Sequence, residues 1–196
     1  CFLLLVACLV SLSCLVCERA SYLILFGLRS LELGESLCCC GAIEVEEMGD
    51  HALDRDARIK LSIGTKHPGD AGGMFESPSG LVFDHHRGLL LISDTNNHRL
   101  QVFSCDDGGS FVSKFGEEGD QPGQFKNPGG LAIDHDHDRI LIVDSGNYRA
   151  QSWSLSEQSF LSCIGHQGSG ELELEYPRGI AIDKHHRRII IADTDN

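Results

Sequence analysis

The chain has 196 residues, of which 41% are hydrophobic and 23% charged, and its formal net charge is −13. That length suits one domain of ordinary size, and the composition excludes disordered and fibrous classes. The acidic balance argues against a broad nucleic-acid surface, which needs dense Lys and Arg against phosphate.

In chain order, residues 1–41 come first as an apolar, Cys-rich segment. The sequence opens on Cys1 rather than Met and stops at Asn196 inside a recurring phrase, so it reads as a fragment or as an imperfect translation at its start. Only Glu18 and Arg19 are charged before Leu28, and the first 17 residues carry no charge. Two readings stay open here: a truncated signal peptide or membrane anchor, and non-native sequence. A membrane is a partner only under the first. Seven of the nine Cys lie in this segment, and Cys105 and Cys163 follow at non-equivalent positions of the repeats. They form no disulfide framework, so a reducing, cytoplasmic setting is favoured for the repeats and a secretory or membrane-anchored one if residues 1–28 are genuine. Cys14 and Cys17 have zinc-knuckle spacing but no second pair and no nearby His, so no metal site is expected there.

Residues 42–72 read as the remnant of a preceding blade and its connection. "IKLSIGTKHPGDAGGMFESP" at 59–78 parallels "FVSKFGEEGDQPGQFKNP" at 111–128. Residues 59–63 thus match an outer strand, and "AIEVE" at 42–46 a third strand.

Residues 73–196 repeat. Pro78, Pro128 and Pro177 are 50 and 49 residues apart, and each opens a Pro-x-Gly. An apolar run to Asp84, Asp134 or Asp183 follows, then a turn, then "LLLIS", "ILIV" or "IIIA". Asp94, Asp144 and Asp193 end those second runs. Asn97, Asn147 and Asn196 stand three residues on, and Arg99 and Arg149 complete the phrase. A period near 50 built of short apolar runs marks propeller blades or solenoid coils. The runs are β-branched and punctuated by Gly, Pro, Asp and Asn, which is strand composition. In the first repeat the strands fall near 80–84, 89–94, 99–104 and 111–115. The second run is apolar without alternation, so both of its faces are expected to be buried. The fold class is all-β: a partial β-propeller of four-stranded antiparallel blades in an incomplete ring, with two full blades and the start of a third. Asp94 and Arg99 are expected to pair across a hairpin whose "TNNH" reversal uses Asn and Asp chemistry.

These phrases resemble NHL repeats, from Pro-x-Gly through Asp-Thr-x-Asn-His-Arg. The first copy reads "NHRL" and the second "NYRA", with Gly146, Tyr148 and Ala150 as departures. The resemblance covers residues 73–196 and implies six blades in a closed ring. It further implies a non-catalytic scaffold that binds a protein partner through a loop face. Alternatives implied by the same family are the substrate-recruiting part of a RING-type ubiquitin ligase whose RING is not in this sequence, an RNA-binding propeller, and a metalloenzyme like the peptide-amidating lyase. Residues 73–196 carry 10 Lys and Arg against 19 Asp and Glu, which disfavours RNA.

Chemistry-bearing residues gather in loops. The inter-blade connections hold Glu117, Glu118, Asp120, Glu171, Glu173 and Glu175, the expected surface for a basic protein partner. The strand one–two turns hold His85, His86, His135, His137, His185 and His186, read as solvated turns that gain charge near pH 6. "DHDHD" at 134–138 is a loose arrangement of N and O ligands, and no metal or cofactor is expected. No catalytic constellation is visible: there is no Gly-x-Ser-x-Gly, no His-Glu-x-x-His and no phosphate loop. The recurring Asp, Asn and Arg are read as structural.

Overall fold

The computed structural model describes the backbone of residues 22–27, 42–47 and 59–61, and residues 62–65 and 67–194 in full. Cys14, Cys17, most of the apolar segment at 1–28, and Asn196 lie outside the described residues.

Among the described residues the architecture is built of strands, with short 3-10 turns between some of them. β1 (Tyr22–Gly27), β2 (Ala42–Glu47) and β3 (Ile59–Ile63) form an antiparallel sheet in that order. Tyr22 pairs with Glu47 and Ile43 with Ile63. This sheet thus takes in a strand from the stretch the sequence set apart at 1–41. That strand, YLILFG, carries no charged residue.

Two complete blades follow. The first is β4 (Pro78–Asp84), β5 (Leu89–Asp94), β6 (Arg99–Ser104) and β7 (Ser110–Phe115), a four-stranded meander. The second repeats it with β8 (Pro128–Asp134), β9 (Arg139–Asp144), β10 (Arg149–Ser154) and β11 (Phe160–Ile164). A parallel pair of two-residue strands, β12 (His166–Gln167) and β13 (Glu173–Leu174), shapes the next connection. β14 (Pro177–Asp183) and β15 (Arg188–Asp193) then begin a further blade. Together these make an all-β, partial β-propeller. The first strands β4, β8 and β14 lie side by side.

β5 and β9 are buried on both faces, because sheets cover each side. Leu90 and Ile92 pack one way with Ile63, Phe75 and Phe103. Leu91 packs the other way with Val82, Ile133, Ile142 and Trp153, so one apolar layer fills each gap between sheets. Burial without alternation is the signature of a strand sandwiched between two layers. β15 has the same composition, yet its residues alternate between half-buried and exposed.

The Pro-x-Gly has a packing cause. A Cβ on Gly80 would collide with the Gly129 carbonyl oxygen, and one on Gly130 would lie 2.6 Å from the Arg178 carbonyl oxygen. Neighbouring first strands therefore approach backbone to backbone, and only Gly fits. Each first strand is also irregular at this point, with a register shift beginning at Pro78, Pro128 and Pro177.

Candidate functional site

The recurring Asp is the hub of each blade. Asp94 has no exposed surface. Its Oδ2 accepts from Arg99 Nε at 2.8 Å, Gln101 Nε2 at 2.9 Å and Asn97 Nδ2 at 2.9 Å. Its Oδ1 accepts the Glu76 N–H at 2.7 Å. Asp144 repeats the set with Arg149, Gln151, Asn147 and the Lys126 N–H. Asp193 accepts the N–H groups of Glu175 and Tyr176.

The Arg and Gln then reach onward to the inter-blade connection. Arg99 donates to the carbonyls of Asp70, Ala71 and Met74, and Arg149 to those of Asp120, Gln121 and Gln124. Gln101 donates to the Met74 carbonyl and accepts from the Gly73 N–H, and Gln151 does the same with Gln124 and Gly123. The phrase thus does more than close a hairpin: it clamps the incoming connection onto the blade.

Sequence reasoning passed over Gln101 and Gln151, which are completely buried. A Gln in an apolar strand was the available signal, since a buried amide needs partners. It also passed over the plug of each connection. Phe75, Phe125 and Leu174 keep the repeat period, and all are buried.

The hairpin backbone differs from the expected Asn-led reversal. A single 3-10 turn spans Thr95–Asn97, and the left-handed residue is His98 at φ 53°. In the second blade it is Tyr148 at φ 54°. His98 compensates by accepting the Asn127 N–H on Nδ1 at 3.1 Å, which ties this hairpin to the next blade.

The connections share a face with these hairpins, as Asn97 bonding the Gly69 carbonyl and Asn147 the Gly119 carbonyl make plain. Glu117, Glu118, Asp120 and Glu171 are exposed there, while Glu173 and Glu175 are partly covered. Glu117 accepts from Gln124, and Asp120 from Gln121. Glu118 lies 3.8 Å from His98, and Glu173 lies 3.4 Å from His166 and accepts the Gly170 N–H. Glu118 and Glu171 are therefore the acids most open to an outside group.

The opposite face carries the strand one–two turns. Asp84, Asp134 and Asp183 end the first strands and hold their own turns. Arg87 bonds Asp84, His137 and Arg139 bond Asp134, and His186 and Arg188 bond Asp183. Burial opposes the charge of Asp134, but Arg139 and His137 hold its carboxyl below the usual range. Arg87 also reaches Asp138 of the next blade at 2.7 Å. Asp134 and Asp138 are thus engaged with Arg, so "DHDHD" is not a ligand set in itself.

His135 departs from the solvated-turn expectation. Its side chain is 8% exposed, and its ring packs against His85 and His86 of the preceding blade at centroid distances of 4.7 and 4.1 Å. Burial pushes its pKa down, the Asp84 carboxylate opposes this, and His86, His85 and Lys184 reinforce it. This imidazole therefore resists the charging expected of the rim. Burial and then Asp106 raise the Cys105 thiol, which disfavours its thiolate form. Among the described residues no helix is long and apolar enough to cross a membrane.

Comparison with known proteins agrees with the geometry. A family model described as a 6-bladed β-propeller matches residues 80–167. No curated protein matches the chain. Among solved structures, a chain of the nidogen/laminin complex is similar at a TM-score of 0.60 and 19% identity, over 89% of this chain and 54% of that one. Glutaminyl cyclase from Myxococcus xanthus aligns at a TM-score of 0.46 and 14% identity, over 77% of this chain and 59% of that one. The chain thus spans about half the length of the nidogen/laminin structure. The family model and the nidogen/laminin likeness make the chain a β-propeller.

Proposed function

We propose that the chain is a non-catalytic, NHL-type β-propeller scaffold that binds a basic protein segment through the face made by its inter-blade connections and strand two–three hairpins. One observation carries the reading. The connection that bears Glu117, Glu118 and Asp120 is clamped by the buried Asp144–Arg149–Gln151 network, and the one that bears Glu171 is tied through Asp193 to the Glu175 and Tyr176 N–H groups, so these acids stand on a backbone that is already ordered before any partner arrives. A pre-organised platform spares the partner the entropy of ordering loops. Clustered carboxylates on such a platform attract cationic groups and speed encounter. The NHL reading rests on the Asp-Thr-x-Asn-His-Arg phrase and its phase with Pro-x-Gly.

The test is association kinetics with a short Lys-rich peptide at low and moderate salt. Reversal of Glu117, Glu118 and Glu171 to Lys should slow association and flatten its salt dependence, with the fold unchanged. Equal on-rates for the two proteins at both salt concentrations would return these acids to plain surface.

A further inference from the structure

The strand one–two turns of the two complete blades bring three imidazoles together. One ring nitrogen from each of His85, His86 and His135 lies within 4.8 Å of the others. The three rings contact one another at centroid distances of 4.1 to 4.7 Å. We propose that His85, His86 and His135 form a binding site for a late first-row divalent cation of the Zn2+ type, which ties one blade to the next.

Four observations carry this. The side chain of His135 is only 8% exposed, and its buried Nδ1 has no hydrogen-bond partner. A buried polar atom left so calls for an explanation. A cation at this ring supplies one by either nitrogen. Bound at Nδ1 it satisfies the atom directly. Bound at Nε2 it fixes the proton on Nδ1, which faces Asp84 Oδ1 at 3.8 Å, the carboxylate–histidine–metal arrangement.

Secondly, the other turn histidines are held differently. His137 and His186 lie against their own turn carboxylates at 2.9 and 2.7 Å, and His185 packs on that carboxylate-bound His186, whereas the rings of His85 and His86 meet each other and the His135 ring of the next blade. Among the described residues this trio is the one metal-competent cluster.

Thirdly, the two turns are already held together by the Arg87–Asp138 pair. Tetrahedral Zn–N bonds of about 2.0–2.1 Å need nitrogens about 3.4 Å apart. The closure required falls on His85 and His86, which are exposed and have room to rotate.

Fourthly, the donor type selects the ion. Imidazole suits Zn2+, Cu2+, Ni2+ and Fe2+, while Ca2+ and Mg2+ want oxygen. Three protein ligands leave one position, open to solvent beside His85 and His86, for water. Two cations stand near. Arg87 is offset by Asp84 and Asp138, and Lys184 sits on a flexible stem.

The test uses the full chain, reduced, with Co2+ and then Zn2+ as probes. Co2+ should give a tetrahedral visible spectrum at one equivalent, without thiolate charge-transfer bands, and Zn2+ should displace it. The double variant His85→Ala/His86→Ala should weaken binding at least about tenfold while its circular dichroism stays unchanged. The control His185→Ala/His186→Ala, in the equivalent turn of the next blade, should bind as wild type does. The proposal is overturned by absence of binding, by binding that survives the first double variant, or by a thiolate spectrum.

Discussion

At the residue scale, the decisive groups are buried and charged. Asp94 and the side chain of Arg99 have almost no exposure, so the pair lies in a region where an unmatched charge is expensive. Asp94→Ala leaves Arg99, Gln101 and the Glu76 N–H short of an acceptor, and unfolding free energy should fall by about 3 kcal/mol. Asp94→Asn keeps the shape and should cost less. Chemical denaturation of the two variants checks this, and equal stability to wild type would refute the clamp. In the open blade Asp183 ends the first strand, as Asp84 and Asp134 do in the complete blades, and is held by His186 and Arg188. Arg188 foremost, then the His186 N–H and imidazole, hold its carboxyl below the ordinary 3.8. A depressed carboxylate contributes stability above its unfolded pKa, and that contribution is lost as pH falls through the folded one. An NMR titration should place the Asp183 midpoint below 3.8, and Arg188→Ala should move it back up. A midpoint indifferent to Arg188 would remove the ion pair from the account.

At the scale of elements, the same motif carries different loads in different blades. Gly130 meets the backbone of the next first strand, whereas a Cβ on Gly179 meets only the Ala192 methyl at 3.4 Å. Gly130→Ala should therefore destabilise by about 1–3 kcal/mol, because backbone cannot yield as a side chain can. Gly179→Ala should be close to neutral. Thermal melts of the pair give the contrast, and equal losses would mean that Pro-x-Gly serves local turn geometry rather than blade spacing. The strand runs near 80–84, 89–94, 99–104 and 111–115 were legible because period and punctuation are local properties. The strand at Tyr22–Gly27 was not, since a short apolar run reads alike as strand, signal or anchor.

At the scale of the molecule, blades are stable in stacks. The gap between the two complete blades holds Leu91, Phe125, Ile142 and Trp153, all closed to water. The β14–β15 pair turns Ile190 outward at 52% exposure. Exposed apolar sheet faces and open edges invite association. The 196-residue polypeptide on its own should associate in a concentration-dependent way, and Ile190→Asp should reduce that. Sedimentation velocity across a concentration series is the check. A wild-type chain that stays monomeric throughout would show that the open face is harmless.

The sequence by itself determined the repeat, the strands of the complete blades and the pairing of Asp94 with Arg99. All of these follow from spacing within one period, where chain connectivity fixes what can touch. Tertiary structure alone decided the rest. Gln101 and Gln151 become clamp residues only when a connection some 27 residues upstream folds back onto them. His135 looked like one turn histidine among six, and its burial arises only because the turn of the preceding blade, about 50 residues earlier, packs against it. Contacts between repeats depend on how one sheet is rotated against the next, and a linear pattern does not encode that rotation.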